Sequence, residues 1–86
     1  MPEISRFFGI VITMYYNDHA PPHFHARYGE RRALVAIDDL SLLGGDLPPR
    51  ALGLIAEWAA SHRVELIENW ELAKARSTMK KIAPLE

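Results

Sequence analysis

Three of the four histidines fall in one short stretch, Asn17-Asp18-His19-Ala20-Pro21-Pro22-His23-Phe24-His25-Ala26-Arg27-Tyr28. Side chains alternate across an extended strand, so after the double proline His23, His25 and Arg27 share one side and Phe24, Ala26 and Tyr28 the other. Imidazole and guanidinium are thus expected toward solvent, and the apolar groups toward a core. Three readings fit this pattern. In the first, His23 and His25 divide general base and general acid roles near neutral pH, with His19 as a positioning group. Arg27 and Arg32 then meet the charge on phosphate oxygens, an arrangement suited to metal-independent cleavage of RNA through its own 2′-hydroxyl. In the second, His23 and His25 hold one ion, with His19 or Asp18 as third ligand and a coordination position left open for water. Zn2+ is the ion such a set would take, and no other cofactor is implied. In the third, His19 and His23 hydrogen-bond the backbone of the Pro-Pro turn, His25 lies on a solvated face, and the arginines pair with Glu30 or Asp38. Surface pairs of that sort are worth about 0–1 kcal/mol and carry no function.

The elements around this stretch follow from composition and period. Residues 7–16 (FFGIVITMYY) are β-branched and aromatic, which predicts a strand covered on both faces, with Gly9 at a bulge or a close backbone approach. Asn17 and Asp18 end it. Residues 23–28 and 32–37 flank a Gly29-centred hairpin. A two-residue Gly29-Glu30 turn sets Phe24 opposite Val35, Ala26 opposite Ala33 and Arg27 opposite Arg32. Residues 38–48 hold Asp38-Asp39, Gly44-Gly45 and Pro48, so a loop or short irregular edge is expected, pinned by Leu40, Leu42 and Leu43.

From residue 49 to 76 the apolar positions recur at helical spacing: Leu52, Ile55, Ala59, His62, Leu66, Asn69 and Ala73, flanked by Trp58 and Trp70. An unbroken helix of that length runs about 40 Å, longer than a strand of about 20 Å can cover. Either it breaks, with Ser61 capping a second helix, or its overhang at Trp70 and Leu72 meets a partner or a second copy of the chain. The continuous or gently bent helix is the preferred form. The tail, 77–86, docks as an extended segment or frays. The expected architecture is therefore α+β, a three-stranded antiparallel meander (7–37) on a long C-terminal helix, within one domain spanning 1–86.

At 86 residues and 49% hydrophobic the chain can bury roughly 60–65% of its unfolded surface around one core. With no cysteine, stability rests on side-chain packing and any metal must take His and carboxylate ligands. Ten basic and eleven acidic side chains leave a net charge of −1, which excludes a strongly basic, nonspecific nucleic-acid binder but not a local cationic patch. The first residues lack the basic-then-apolar run of a signal peptide and no apolar stretch approaches a membrane span, so a cytoplasmic setting without membrane contact is expected.

Three blocks carry a resemblance: Pro2-Glu3-Ile4-Ser5-Arg6-Phe7-Phe8-Gly9-Ile10; Met14-Tyr15-Tyr16-Asn17-Asp18-His19 with Pro21-Pro22-His23-Phe24-His25-Ala26; and Glu68-Asn69-Trp70-Glu71-Leu72-Ala73. Nearly end to end, the chain resembles a small prokaryotic family, domain of unknown function 4160. Members often lie beside a second small gene, as in toxin-antitoxin-like pairs. The resemblance implies a protein partner encoded by an adjacent gene, with this chain as the toxin-like component or as its binding counterpart. It assigns no catalytic residue.

Overall fold

The computed structural model describes residues 2–86. The sheet has five antiparallel strands in sequence order: β1 (Glu3–Phe7), β2 (Ile10–Thr13), β3 (His23–Tyr28), β4 (Arg31–Ala36) and β5 (Leu42–Gly45). Two helices follow, α1 (Pro49–Ser61) and α2 (Arg63–Lys74). The α+β class stands, while the three-stranded meander and the single long helix do not.

The first extra strand comes from a turn hidden in the apolar run. Phe8 and Gly9 both have positive φ, 49° and 80°, the pair of conformations that lets a two-residue turn match the twist of its flanking strands. The run therefore splits into a hairpin, with Phe7 opposite Ile10. Gly9 also sits where an added Cβ would lie 3.3 Å from the Tyr28 ring. Turn and close approach coincide at this residue. The second extra strand is the expected irregular edge: β5 pairs with β4 across a register shift at Leu34/Val35. Leu42 and Leu43 do not pin it, since both are exposed; Leu47 is buried instead. Around Gly29-Glu30 the register is as the turn requires, with Phe24 opposite Val35, Ala26 opposite Ala33 and Arg27 opposite Arg32.

One sheet face is covered. Ile4, Ile10, Ile12, Phe24, Ala26, Ala33 and Val35 bury against Ala51, Ile55, Trp58 and Leu66. Within this core Trp58 meets Phe7 and Phe24 at ring distances of 5.2 and 5.9 Å. The helical run breaks at His62, whose φ and ψ of −123° and 25° leave the helical region. A straight rod from Pro49 to Lys74 would measure about 39 Å at 1.5 Å per residue, whereas the whole molecule extends only 33 Å. The break lets Trp58 stay in the core while α2 turns toward the β2–β3 connection, where the Asn17 N–H donates to the Ala73 carbonyl. Ser61 does not cap α2; its hydroxyl donates back to the Glu57 carbonyl.

The tail docks. The Ile82 N–H donates to the Ile4 carbonyl, and buried Asn69 exchanges two hydrogen bonds with the backbone of Lys80. Among the described residues no helix is long and apolar enough to cross a membrane.

Candidate active site

On the uncovered face, strand alternation and register set two rows across the sheet. Glu3 lies opposite Thr13 and Thr13 opposite His25; Val11 lies opposite Arg27 and Arg27 opposite Arg32. With Tyr15, these residues line a shallow pocket of ≈ 150 Å³. Glu3 forms a 2.7 Å ion pair with Arg6 and, at the pocket wall, also feels the more distant charge of Arg27. Among the described residues neither Arg27 nor Arg32 joins an ion pair; it is Arg31 that reaches Asp46. The expected pairing of Arg27 and Arg32 with Glu30 or Asp38 is therefore absent. Two like charges directly opposite each other on a sheet repel unless an anion or solvent screens them.

Asp18 organises the histidines. Its Oδ2 lies 3.0 Å from Nε2 of His23 and 3.2 Å from Nε2 of His25, and its Oδ1 lies 3.2 Å from Nδ1 of His19. The rings of His23 and His25 are 5.3 Å apart, so the cluster foreseen in the sequence does assemble. Its members differ in access, however. His19, whose side chain is 93% exposed, contacts the carboxylate only from outside.

His23 departs from the expectation that it faces solvent. It is 3% exposed, because Trp70 of α2 packs at a tilt with its ring centre 5.3 Å away and the Pro21 carbonyl lies 2.7 Å from Nδ1. Strand alternation sets the side on which a residue emerges, not what covers that side, and here α2 covers the end of β3. Trp70 is itself 4% exposed. With the overhang absent, its ring is spent inside this chain, and Leu72 is half-buried. The peptide bond between Ala20 and Pro21 is cis, that between Pro21 and Pro22 trans.

His25 remains available. Its side chain is 27% exposed and it lines the pocket; Tyr15 meets its ring edge-on at 4.4 Å. With Nε2 turned to Asp18, Nδ1 is left without a hydrogen-bond partner among the described residues. A carboxylate that holds one nitrogen of an imidazole fixes the tautomer and leaves the other as a base.

Burial alone would push the Asp18 carboxyl up. The hydrogen bond from His25, the His19 backbone N–H and the attraction of His23 outweigh it and hold the carboxyl below its ordinary range. A carboxyl whose pKa is lowered on folding stabilises the fold above its unfolded value, and that contribution is lost as pH falls through the lower, folded value. Acid unfolding of the native protein, followed with a chelator present, should therefore be shallower in Asp18→Asn, and identical acid limbs would show that the carboxylate contributes nothing.

Residues 9–71 match the family described as Domain of unknown function (DUF4160). The chain belongs to this family. The DUF4160 match runs from the Phe8-Gly9 turn through most of α2 and contains Asp18, His23, His25, Arg27, Arg32 and Trp70. No curated protein and no solved structure matches the chain. Sequence reasoning named Asp18 only as a strand terminator or spare ligand and did not include Thr13 or Tyr15. The signal for Thr13 was the alternation of residues 10–13, which sets it beside His25 once β2 and β3 pair.

Proposed function

We propose that the chain acts on RNA at the face shared by His25, Arg27 and Arg32. The observation that carries this reading is the pair of guanidinium groups, in no close ion pair among the described residues and opposite each other across β3 and β4, lining one pocket with an imidazole that Asp18 orients. A backbone phosphate seats between Arg27 and Arg32, whose planar donors match its oxygens. His25 Nδ1 takes the proton of the neighbouring 2′-hydroxyl, and the freed oxygen attacks phosphorus. The 5′-oxygen leaves with a proton from water, giving a 2′,3′-cyclic phosphate. His23, buried under Trp70, supports Asp18 and His25 rather than touching substrate.

The same reading makes the chain one component of a two-protein, toxin-antitoxin-like module. Support for a small protein partner comes from the family resemblance and from α2, where Val64 is 79% exposed and Ile67 lies beside it on the surface. These two side chains take the place of Trp70 and Leu72 as the apolar contact offered to that partner.

Binding of end-labelled single-stranded RNA across a salt series tests the pocket. The double variant Arg27→Ala/Arg32→Ala should bind about tenfold or more weakly, each charge-assisted hydrogen bond being worth about 1.5–3 kcal/mol. Its salt dependence should flatten by about 0.7 in log–log slope for each phosphate that is no longer neutralised. Unchanged affinity and slope would remove these arginines from the interface, and no RNA binding by the native protein would remove the class.

A further inference from the structure

We propose that Asp18, His23 and His25 form a binding centre for a divalent transition metal, with Zn2+ the ion that the ligands suit. The Pro21 carbonyl oxygen can only accept, so Nδ1 of His23, 2.7 Å away, carries a hydrogen. In the neutral ring the lone pair is then on Nε2, aimed at Asp18 Oδ2 at 3.0 Å. That oxygen is an acceptor too. Two lone pairs facing each other this closely require a positive charge between them, either a proton or a cation.

His25 adds the third donor. Its Nε2 lies 3.2 Å from the same carboxylate oxygen, and ligand atoms from all three residues lie within 4.8 Å of one another. Bonds of about 2.0–2.2 Å around a tetrahedral zinc set ligand atoms about 3.3–3.6 Å apart. The two measured edges fall only a few tenths of an ångström short of that. The remaining pair of ligand atoms is no more than 4.8 Å apart, so rotation of the carboxylate with small shifts of the rings brings all three to one ion.

The surroundings fit as well. A metal-bound imidazole characteristically donates its other N–H to a backbone carbonyl or carboxylate, which fixes ring and tautomer; the Pro21 carbonyl does this for His23. Trp70 packs at a tilt against that ring and Tyr15 meets the ring of His25 edge-on, so both imidazoles are held in place. Two nitrogens and one carboxylate favour zinc and its neighbours over magnesium or calcium, which take oxygen ligands. Because Asp18 and His25 are partly exposed, a fourth position opens to solvent and gives the ion a way in. His19 stands outside the set, on the other carboxylate oxygen.

This centre shares Asp18 and His25 with the proposed RNA face but uses neither arginine, so ion binding and RNA binding are read out separately. Protein purified without an affinity tag, stripped with a chelator and dialysed, is titrated with Zn2+ alone by calorimetry and thermal unfolding, and with Co2+ as a visible probe. Expected are one ion per chain, a raised Tm, and cobalt d–d bands that Zn2+ abolishes. Asp18→Ala and His25→Ala, whose partly exposed side chains can be removed without opening the core, should each weaken binding tenfold or more, while Arg27→Ala/Arg32→Ala and His62→Ala leave it unchanged. Absence of saturable binding to the folded native protein, or undiminished affinity in both ligand variants, overturns the proposal. A protein that binds Zn2+ but no RNA keeps the metal centre and loses the RNA reading; one that binds RNA but no ion does the reverse.

Discussion

Trp58→Ala is expected to lower the stability of the protein by about 3–5 kcal/mol, the usual cost of emptying a buried aromatic site. Trp58 is the largest fully buried side chain. Its ring touches Phe7 from β1, Phe24 from β3 and His62 at the helix break, and its indole N–H donates to the Ala83 carbonyl at 2.8 Å. One residue thus ties the sheet, the helix junction and the tail. A domain of this length has about 4–13 kcal/mol in all, so the loss takes a large share. Trp58→Phe keeps most of the ring area and forfeits the hydrogen bond to Ala83, so it should fall well short of that cost, at about 1–2 kcal/mol. Urea unfolding of the three proteins measures both. A cost below about 1 kcal/mol for the alanine variant would mean that its neighbours close the space or that the ring is not central.

The second large effect is catalytic. His25→Ala should slow RNA cleavage by about 10²- to 10⁴-fold, the range spanned by a positioned acid–base group, while leaving RNA affinity near that of the native protein because Arg27 and Arg32 remain. The assay needs a chelator. An ion on Nε2 leaves the ring's hydrogen on Nδ1 and so withdraws the base. His23→Ala should behave differently, since His23 is buried and its loss leaves the Pro21 carbonyl without the imidazole it bonds and takes one of three histidines from Asp18. Its main effect is a stability loss of about 1–3 kcal/mol, visible as a lower unfolding midpoint. Equal cleavage by native protein and His25→Ala would remove His25 from the chemistry, whereas a His23→Ala variant that is fully stable yet inactive would exchange the two roles.

Much of β3 and β4 was legible in the sequence because period and turn chemistry act locally. Gly29-Glu30 fixed the register, and with it the Arg27/Arg32 pairing, before any long-range contact was needed. The Phe8-Gly9 turn was not legible, because apolar residues on both sides of it conceal a change of direction that only the positive φ of two adjacent residues reveals. The split at His62 was foreseen as one of two outcomes. The size of the sheet and the need to bury both Trp58 and Trp70 decided between them. What covers His23 lay furthest out of reach, since Trp70 is 47 positions along the chain and meets it only after α2 has turned. Asp18 is a parallel case: a turn-former by type, it becomes the hub of three histidines only through the path of the 17–22 connection.

Amide spectra of isotopically labelled protein, recorded as a single-stranded RNA oligonucleotide is added, locate the contact surface residue by residue. Shifts should concentrate at Thr13, Tyr15, His25, Arg27 and Arg32, the residues that share the pocket. Saturation without movement of these five, or with shifts gathered around Val64 and Ile67 on α2, would contradict RNA binding at this face.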